Sequence, residues 1–291
     1  MRWEGRRQSQ NVEDRRSVGQ QVVVGGGLLT LVLMVVMMFL GVDPRQLAQI
    51  APQAGAPAQR QAQGRPGQAG QATPANDKMT QFVKTVLADT EDVWTKLFPT
   101  AFKGRYTPPV LVLFTGQVKS ACGFASAAAG PFYCPLDRKV YIDLAFYEEL
   151  KNRFKAPGDF AQAYVIAHEI GHHVQNQLGI SDRVQAMRAR LSEKEYNKLS
   201  VRMELQADFL AGVWAHHMAS FAGVLDEEDI REAVNAAAQI GDDKIQKQTQ
   251  GMIVPDAFTH GSSEQRVRWF LYGLKTGDPL LMDRAFEADS P

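Results

Sequence analysis

The chain has 291 residues, of which 45% are hydrophobic and 22% charged, and its formal net charge is zero. This composition is that of an ordinary globular protein and excludes wholesale disorder. The balanced charge also gives no reason to expect nucleic acid as a partner.

The first element is an uncharged apolar run over residues 22–42, VVVGGGLLTLVLMVVMMFLGV. As a helix it would be about 31 Å long, which matches a hydrocarbon core of roughly 30 Å. A cleaved signal peptide is the main alternative, but the apolar region of a signal peptide is usually only ~7–15 residues long. The run therefore predicts one uncleaved transmembrane anchor.

Basic residues flank this run unevenly. Five arginines lie in residues 1–21, whereas Arg45 is the only basic residue in the stretch 43–59. The positive-inside rule then predicts a cytoplasmic segment over residues 1–21 and the bulk of the chain on the other side. In a bacterium with two membranes, the predicted location is the inner membrane, crossed once, with the folded part in the periplasm.

Residues 43–77 are rich in Ala, Gln, Gly and Pro and show no apolar periodicity. Such a segment cannot form a core, and it is predicted to be a flexible linker. Periodic sequence then continues almost to the end of the chain, which predicts one folded domain over residues 78–291.

The chain has two cysteines, Cys122 and Cys134. In an oxidising compartment they are expected to form a disulfide, which would stabilise the fold by about 3 kcal/mol in the chain-entropy model. The segment between them shows no regular pattern. A zinc site at the cysteines is not indicated, because their spacing is wrong and no further cysteine completes a set.

Within the domain, strand patterns come first and helix patterns follow. A helix is predicted from Met79 to Leu97, and short strands are predicted at 110–115, 132–133 and 139–144. Later helices are expected to begin at Asp159, Ser181, Ser192, Asp226 and Ser262 or Ser263. Strands followed by helices without alternation indicate an α+β domain.

The chemistry is indicated by an H-E-x-x-H motif, His168 to His172, inside the helical pattern that follows Asp159. Residues at i and i+4 share a helix face, so both imidazoles can reach one metal ion. Glu169 lies beside His168, where its carboxylate can act on a water molecule as a general base. The motif predicts a metallopeptidase.

A catalytic zinc site usually has three protein ligands. The next acidic pair in a well-patterned helix is Glu204 and Asp208, which share a face at i, i+4. We predict that Glu204 is the third ligand and that Asp208 accepts the second N–H of a ligand histidine. The alternative is that Glu204 and Asp208 are ordinary solvated charges on a helix surface. Their apolar neighbours argue against it, because they suggest that the pair is buried and buried carboxylates need a partner.

His260 lies just before a predicted helix and is a candidate donor to the oxyanion of a tetrahedral intermediate. An ordinary cap or surface histidine is the alternative for this position. The other histidines are interpreted as structural or exposed, because helix geometry turns them away from the metal: His173, His216 and His217.

Five segments resemble the bacterial neutral zinc metallopeptidases, a family related to the gluzincins: MRWEGRRQSQNVEDRR, CGFASAAAGPFYCPLDRKVYID, AHEIGHHVQNQLGI, ELQADFLAGVW and THGSSEQRVRW. The resemblance implies a zincin-like α+β domain in which a small sheet covers the motif helix and a helical subdomain supplies the third ligand. It also implies one Zn²⁺ per chain on His168, His172 and Glu204. Related peptidases have a histidine followed by Pro and later by Arg, whereas here Gly261 and Arg266 follow His260.

These observations predict a membrane-anchored zinc endopeptidase that acts on a peptide or protein substrate. A catalytically idle, zinc-bearing envelope protein that binds a partner in its cleft is the alternative, which the retained base Glu169 makes less favourable. A zinc hydrolase with another substrate is a third possibility, which H-E-x-x-H on a helix argues against. The sequence does not indicate the substrate or the oligomeric state.

Overall fold

The computed structural model describes residues 1–16, 77–127 and 130–287. The predicted anchor at 22–42 and all but the last residue of the predicted linker lie outside these ranges. Within them, no helix has the length and apolar character needed to cross a bilayer. The helices are α1 (Lys78–Ala101), α2 (Ala145–Asn152), α3 (Asp159–Gln177), α4 (Ile180–Met187), α5 (Glu193–Ala222), α6 (Glu227–Gln239), α7 (Asp242–Gln250), α8 (Ser263–Thr276) and α9 (Arg284–Glu287).

The strands form one sheet and one short hairpin. They are β1 (Val12–Asp14), β2 (Val110–Phe114), β3 (Gln117–Ser120), β4 (Gly123–Ser126), β5 (Phe132–Cys134) and β6 (Lys139–Asp143). The sheet has the order β1-β2-β6-β5, in which β5 alone is antiparallel to its neighbour. The hairpin pairs β3 with β4. With the helices that follow, these strands make the predicted α+β domain.

The three predicted strands within 110–144 are confirmed, and two further structures were not predicted. Of the hairpin β3–β4, only β4 lies in the segment between the cysteines, where no regular pattern was recognised. Strands of four residues are too short for their alternation to stand out in the sequence. The edge strand β1 lies in the predicted cytoplasmic segment, in the polar sequence NVEDRR.

The domain boundary of the sequence prediction needs a correction. Residues 1–16 belong to the same compact unit as residues 77–287, whereas the prediction began the domain at residue 78. Trp3 lies in the hydrophobic core and is only 6% exposed. The prediction failed because the segment acquires its strand and its burial from partners far away in sequence.

Local capping signals set the helix starts. Side chains at the predicted positions accept backbone N–H groups before three helices, at Ser192, Asp226 and Ser262. Asp159 was expected to cap α3, but it is the first helical residue and Gly158 occupies the cap position. The capping oxygen comes instead from Glu232 of α6, which accepts the Phe160 N–H at 2.9 Å.

Glycines bring the helices around the motif close together. A Cβ at Gly212 of α5 would lie 2.1 Å from the carbonyl oxygen of Phe270, and one at Gly273 of α8 would lie 2.0 Å from that of Phe209. A Cβ at Gly171 of α3 would lie 2.9 Å from the carbonyl oxygen of Ala207. Larger residues would therefore push α3 and α8 away from α5.

The predicted disulfide between Cys122 and Cys134 is present, with the Cα atoms 5.8 Å apart. It ties the loop at the start of β4 to the end of β5. The hairpin is thereby attached to the outer strand of the main sheet, next to the motif helix.

Candidate metal centre

Three predicted ligands converge between α3 and α5. One ligand atom from each of His168, His172 and Glu204 lies within 4.8 Å of the other two. The His168 Nε2 atom is 3.2 Å from one Glu204 oxygen, and the His172 Nε2 atom is 3.4 Å from the other. Ligands about 2.0–2.1 Å from a tetrahedral zinc ion are separated by about 3.3 Å, and a His₂Glu set is a known catalytic zinc set. The group therefore fits zinc, and it could hold a metal ion.

The position of the two histidines follows from the burial of α3. Val165, Ile166 and Ile170 are buried on this helix, and the close approach at Gly171 seats it against α5. The face that carries His168 and His172 is thereby turned toward Glu204. The arrangement requires the tertiary contact, because Glu204 follows His172 by 32 positions in the sequence.

Behind His168 is a fully buried carboxylate. Asp208 Oδ1 lies 2.8 Å from His168 Nδ1 and accepts a hydrogen bond from the Tyr164 hydroxyl at 2.5 Å. Arg266 of α8 donates to both Asp208 oxygens, from Nε at 2.8 Å and from Nη2 at 3.0 Å. This places Asp208 as predicted, with its two oxygens shared between a histidine and a buried guanidinium.

The pKa of Asp208 reflects these partners. Burial opposes ionisation of the carboxyl group, but the charges of Arg266 and His168 outweigh burial and lower the pKa of Asp208 to about 2. The ionised carboxylate accepts the Nδ1–H of His168, which leaves Nε2 as the atom directed at the metal position.

His172 has a neutral partner instead. Its Nδ1 atom lies 2.9 Å from Gln175 Oε1, one turn along the same helix. Gln175 is held in turn, since its amide donates to the Met203 carbonyl at 2.7 Å and to Gln206 Oε1 at 3.0 Å. The two imidazoles therefore have their Nε2 atoms aligned by different groups, one charged and one neutral.

The electrostatic field at the three ligands favours a cation. Burial disfavours the protonated form of His168, yet Asp208 and Glu204 outweigh it and raise the pKa of His168 to about 10. Burial also opposes ionisation of Glu204, but the two histidines keep its pKa well below the usual range. A field that attracts a proton to these ligands also attracts a divalent metal ion.

The ligands open into a cleft of ≈ 410 Å³. Glu169 is buried at 8% exposure on its wall, beside the ligands but outside the group of three. Aromatic side chains of β5, α2 and the loop after α2 form part of the lining: Phe132, Tyr133, Phe146 and Phe154. The cleft therefore places aromatic surface next to the three candidate ligands.

His260 also lies on this cleft, in the loop before α8. Its Nδ1 atom is 3.1 Å from Asp242 Oδ1, and the other oxygen of Asp242 accepts the backbone N–H of His260 at 2.7 Å. The hydrogen bond between the His260 ring and the Asp242 carboxylate is the main cause of the raised pKa of His260. Because Asp242 occupies Nδ1, Nε2 is the ring atom left for a substrate.

The remaining histidines have structural contacts, in agreement with the sequence interpretation. His173 is buried, with Nε2 2.7 Å from the Thr107 carbonyl oxygen, and burial lowers the pKa of His173 to about 4. His216 and His217 contact the carbonyl oxygens of Leu274 and Gly277. None of the three belongs to the metal group.

Four residues of the site were not assigned a role from the sequence. They are Tyr164, Gln175, Asp242 and Arg266. Spacing could have indicated Tyr164, which lies four residues before His168 on the same helix. Asp242 and Arg266 come from distant helices, so no local signal was available for them.

The buried pair Asp208–Arg266 allows a stability test. Asp208→Asn should weaken zinc binding by about 10–100-fold through the altered His168 contact. It should also destabilise the metal-free protein by about 3–5 kcal/mol, because the Arg266 charge is left buried without a negatively charged partner. Zinc affinity by competition with a chelating dye and unfolding in urea would measure the two effects.

The matched controls are the single variant Arg266→Met and the double variant Asp208→Asn/Arg266→Met. Removing both charges should cost clearly less stability than the sum of the two single changes. If the double variant loses that full sum, the pair does not interact as the structure indicates.

The family model described as "putative neutral zinc metallopeptidase" matches residues 1–284. The Escherichia coli (strain K12) protein named "Uncharacterized protein YpfJ" is 46% identical over 289 residues, covering 96% of each chain. The Mycobacterium tuberculosis (strain H37Rv) protein named "Uncharacterized protein Rv2575" is 44% identical over 207 residues, which cover 68% of this chain and 67% of that protein. No solved structure matches significantly.

Proposed function

Because the chain belongs to the family of neutral zinc metallopeptidases, we propose that it is a zinc-dependent endopeptidase that hydrolyses peptide bonds. The observation that supports this most strongly is the His₂Glu group with Glu169 beside it on an open cleft. A cleft that only bound a partner would not require a carboxylate at that position.

The proposed chemistry assigns a separate task to each residue. His168, His172 and Glu204 would hold zinc, which would polarise the scissile carbonyl group and activate a water molecule. Glu169 takes a proton from the attacking water and later delivers it to the leaving amine. His260, held by Asp242, donates a hydrogen bond from Nε2 to the oxyanion that develops on the substrate.

The outer strand of the sheet is the proposed binding edge for the substrate backbone. β5 pairs only with β6 in the four-stranded sheet, and its Phe132 and Tyr133 line the cleft. An extended peptide could add to this edge as a further strand. The Tyr133 hydroxyl accepts a hydrogen bond from Asn176 of α3 at 2.9 Å, so the binding edge is fixed to the helix that carries the metal ligands.

The activity is tested with the purified full-length protein and a library of unstructured peptides. Cleavage is expected with zinc, should stop with a chelator, and should return when zinc is added back. Zinc binding without any cleavage would instead favour the idle envelope protein, and cleavage of only non-peptide bonds would favour another hydrolase.

The location is proposed from two observations. The disulfide Cys122–Cys134 suits an oxidising compartment such as the periplasm. The uncharged run at 22–42 has the length and composition of a membrane segment. We therefore place the folded domain on the periplasmic side of the bacterial inner membrane, attached through this run.

The pH dependence of kcat/KM is expected to report on His260. With Nδ1–H bonded to Asp242, Nε2 can donate only when the ring is protonated, so activity should be lost as pH rises through the pKa of His260. Asp242→Asn removes the carboxylate charge of the partner that raises this pKa. The alkaline limb of the profile should therefore shift to lower pH, which steady-state assays across pH would measure.

Two further variants complete this experiment. In His260→Ala the alkaline limb caused by this group should disappear, while zinc content stays unchanged. In Asp256→Asn, an exposed carboxylate that pairs with Lys194, the profile should match that of the parent. An unshifted alkaline limb in Asp242→Asn would remove the proposed role of the pair.

A further inference from the structure

The first sixteen residues, here called the N-terminal strap, are joined to the sheet through their backbone. β1 lies parallel to β2, with Val12 opposite Leu111. The Leu111 N–H donates to the Asn11 carbonyl at 2.9 Å, and the Arg15 N–H donates to the Leu113 carbonyl at 2.8 Å. Without the strap, β2 would lose these partners and become an exposed sheet edge.

The strap also reaches the helix that carries the metal ligands. The Trp3 ring packs edge-on against Phe82, with the centroids 5.4 Å apart. Its indole N–H donates to Asp159 Oδ2 at 3.0 Å, at the first residue of α3. A buried tryptophan that contacts both α1 and α3 makes the strap part of the core.

Two arginines of the strap bind carboxylates of α1. Arg6 pairs with Asp89 at 2.9 Å, and Arg7 pairs with Glu91 at 3.1 Å and with Asp92 at 2.9 Å. Asp89 and Glu91 are buried residues of α1. These positive charges therefore have partners within the fold, and their presence before the apolar run does not require a cytoplasmic position.

The last described residue of the strap returns to the start of α1. Arg16 Nη1 lies 2.9 Å from Asp77 Oδ2, and Arg16 Nη2 donates to the Thr80 hydroxyl at 2.9 Å. The described residues on the two sides of the stretch 17–76, Arg16 and Asp77, are therefore in direct contact. A chain that crosses a bilayer once has its two flanks separated by a hydrocarbon core of roughly 30 Å.

From these contacts we infer that the strap and the metal site lie on the same side of the membrane in the folded protein. The docked strap and a single crossing by residues 22–42 exclude each other, and residues 43–76 contain no second apolar run that could bring the chain back. We therefore expect the described residues on both sides of the apolar run to lie in the same compartment. This replaces the predicted cytoplasmic position of residues 1–21, and it holds whether or not the protein cleaves peptides.

The test is chemical labelling of single cysteines in the full-length protein in cells. Gln10→Cys reports on the strap and Glu193→Cys on the domain, because both positions are exposed. Cells with a permeabilised outer membrane are treated with a membrane-impermeant maleimide, and lysed cells provide full labelling as the reference. The parent, whose two cysteines form a disulfide, provides the background.

We expect the two positions to give the same result in cells whose outer membrane alone is permeabilised. Labelling of both supports the inference and the periplasmic location together, whereas protection of both supports the inference and contradicts the location alone. Labelling of Glu193→Cys with protection of Gln10→Cys until lysis would overturn the inference.

A second measurement shows whether the strap is docked in the purified full-length protein. Trp3→Ala should lower Tm by roughly 6–20 °C, as expected for a buried tryptophan in a domain of this size. Glu4→Ala, which changes an exposed partner of Lys78, should leave Tm nearly unchanged. Equal Tm values for the two variants would show that the strap is not part of the fold.

Discussion

Replacement of Glu169 by glutamine is expected to abolish peptide hydrolysis while zinc remains bound. Glutamine fills the same space but cannot take a proton from water, and a general base contributes about 10²–10⁴-fold to a rate. Glu169 lies beside the three ligands without belonging to the metal group, so the ligands should stay in place. The measurements are kcat/KM on a cleaved peptide and zinc per chain by elemental analysis.

The same substitution at an exposed carboxylate serves as the control. Glu193→Gln lies at the start of α5, away from the cleft, and should retain the activity of the parent. If Glu169→Gln cleaves as fast as the parent, the general base is a different group. If Glu169→Gln also loses zinc, its loss of activity would not test the role of Glu169 in proton transfer.

Replacement of Glu204 by alanine is expected to empty the metal site. The parent should carry about one zinc per chain, and the variant should carry little, because two histidines alone leave the usual three-ligand set incomplete. The substitution removes the carboxylate whose oxygens lie 3.2 Å from His168 Nε2 and 3.4 Å from His172 Nε2. Zinc content after dialysis against a weak chelator would measure the effect.

This measurement should use the whole chain. A fragment that begins at residue 78 lacks β1 and Trp3, so its failure to bind zinc could result from misfolding. Glu193→Ala provides the matched control on the same helix, and circular dichroism checks that Glu204→Ala remains folded. Full zinc retention in folded Glu204→Ala would show that the third ligand is misassigned.

Several features could be predicted because they depend on local sequence. The i, i+4 spacing brings His168 and His172 onto one face of any helix that contains them, and the same spacing relates Glu204 to Asp208. Capping at Ser192 requires only a residue three positions further along. The apolar period then shows which face of each helix is buried, which is sufficient to predict an α+β domain with a candidate metal site.

Other features depended on contacts between distant segments. Arg266 reaches Asp208 across 58 positions, and Asp242 reaches His260 across 18. The close approach of α5 and α8 at Gly212 and Gly273 makes the first of these contacts possible. Local sequence patterns do not indicate such pairs, because each residue on its own is indistinguishable from an ordinary polar residue.

The strap shows most clearly where the sequence and the tertiary structure diverge. By itself the sequence indicated the motif helix, the candidate third ligand Glu204, the disulfide and an apolar run of membrane-spanning length. The tertiary structure alone decided that Arg6 and Arg7 face carboxylates of α1 and that Val12–Asp14 is a strand. The physical reason is that a three-residue polar strand has no stability of its own and forms only when a neighbouring strand supplies its hydrogen bonds.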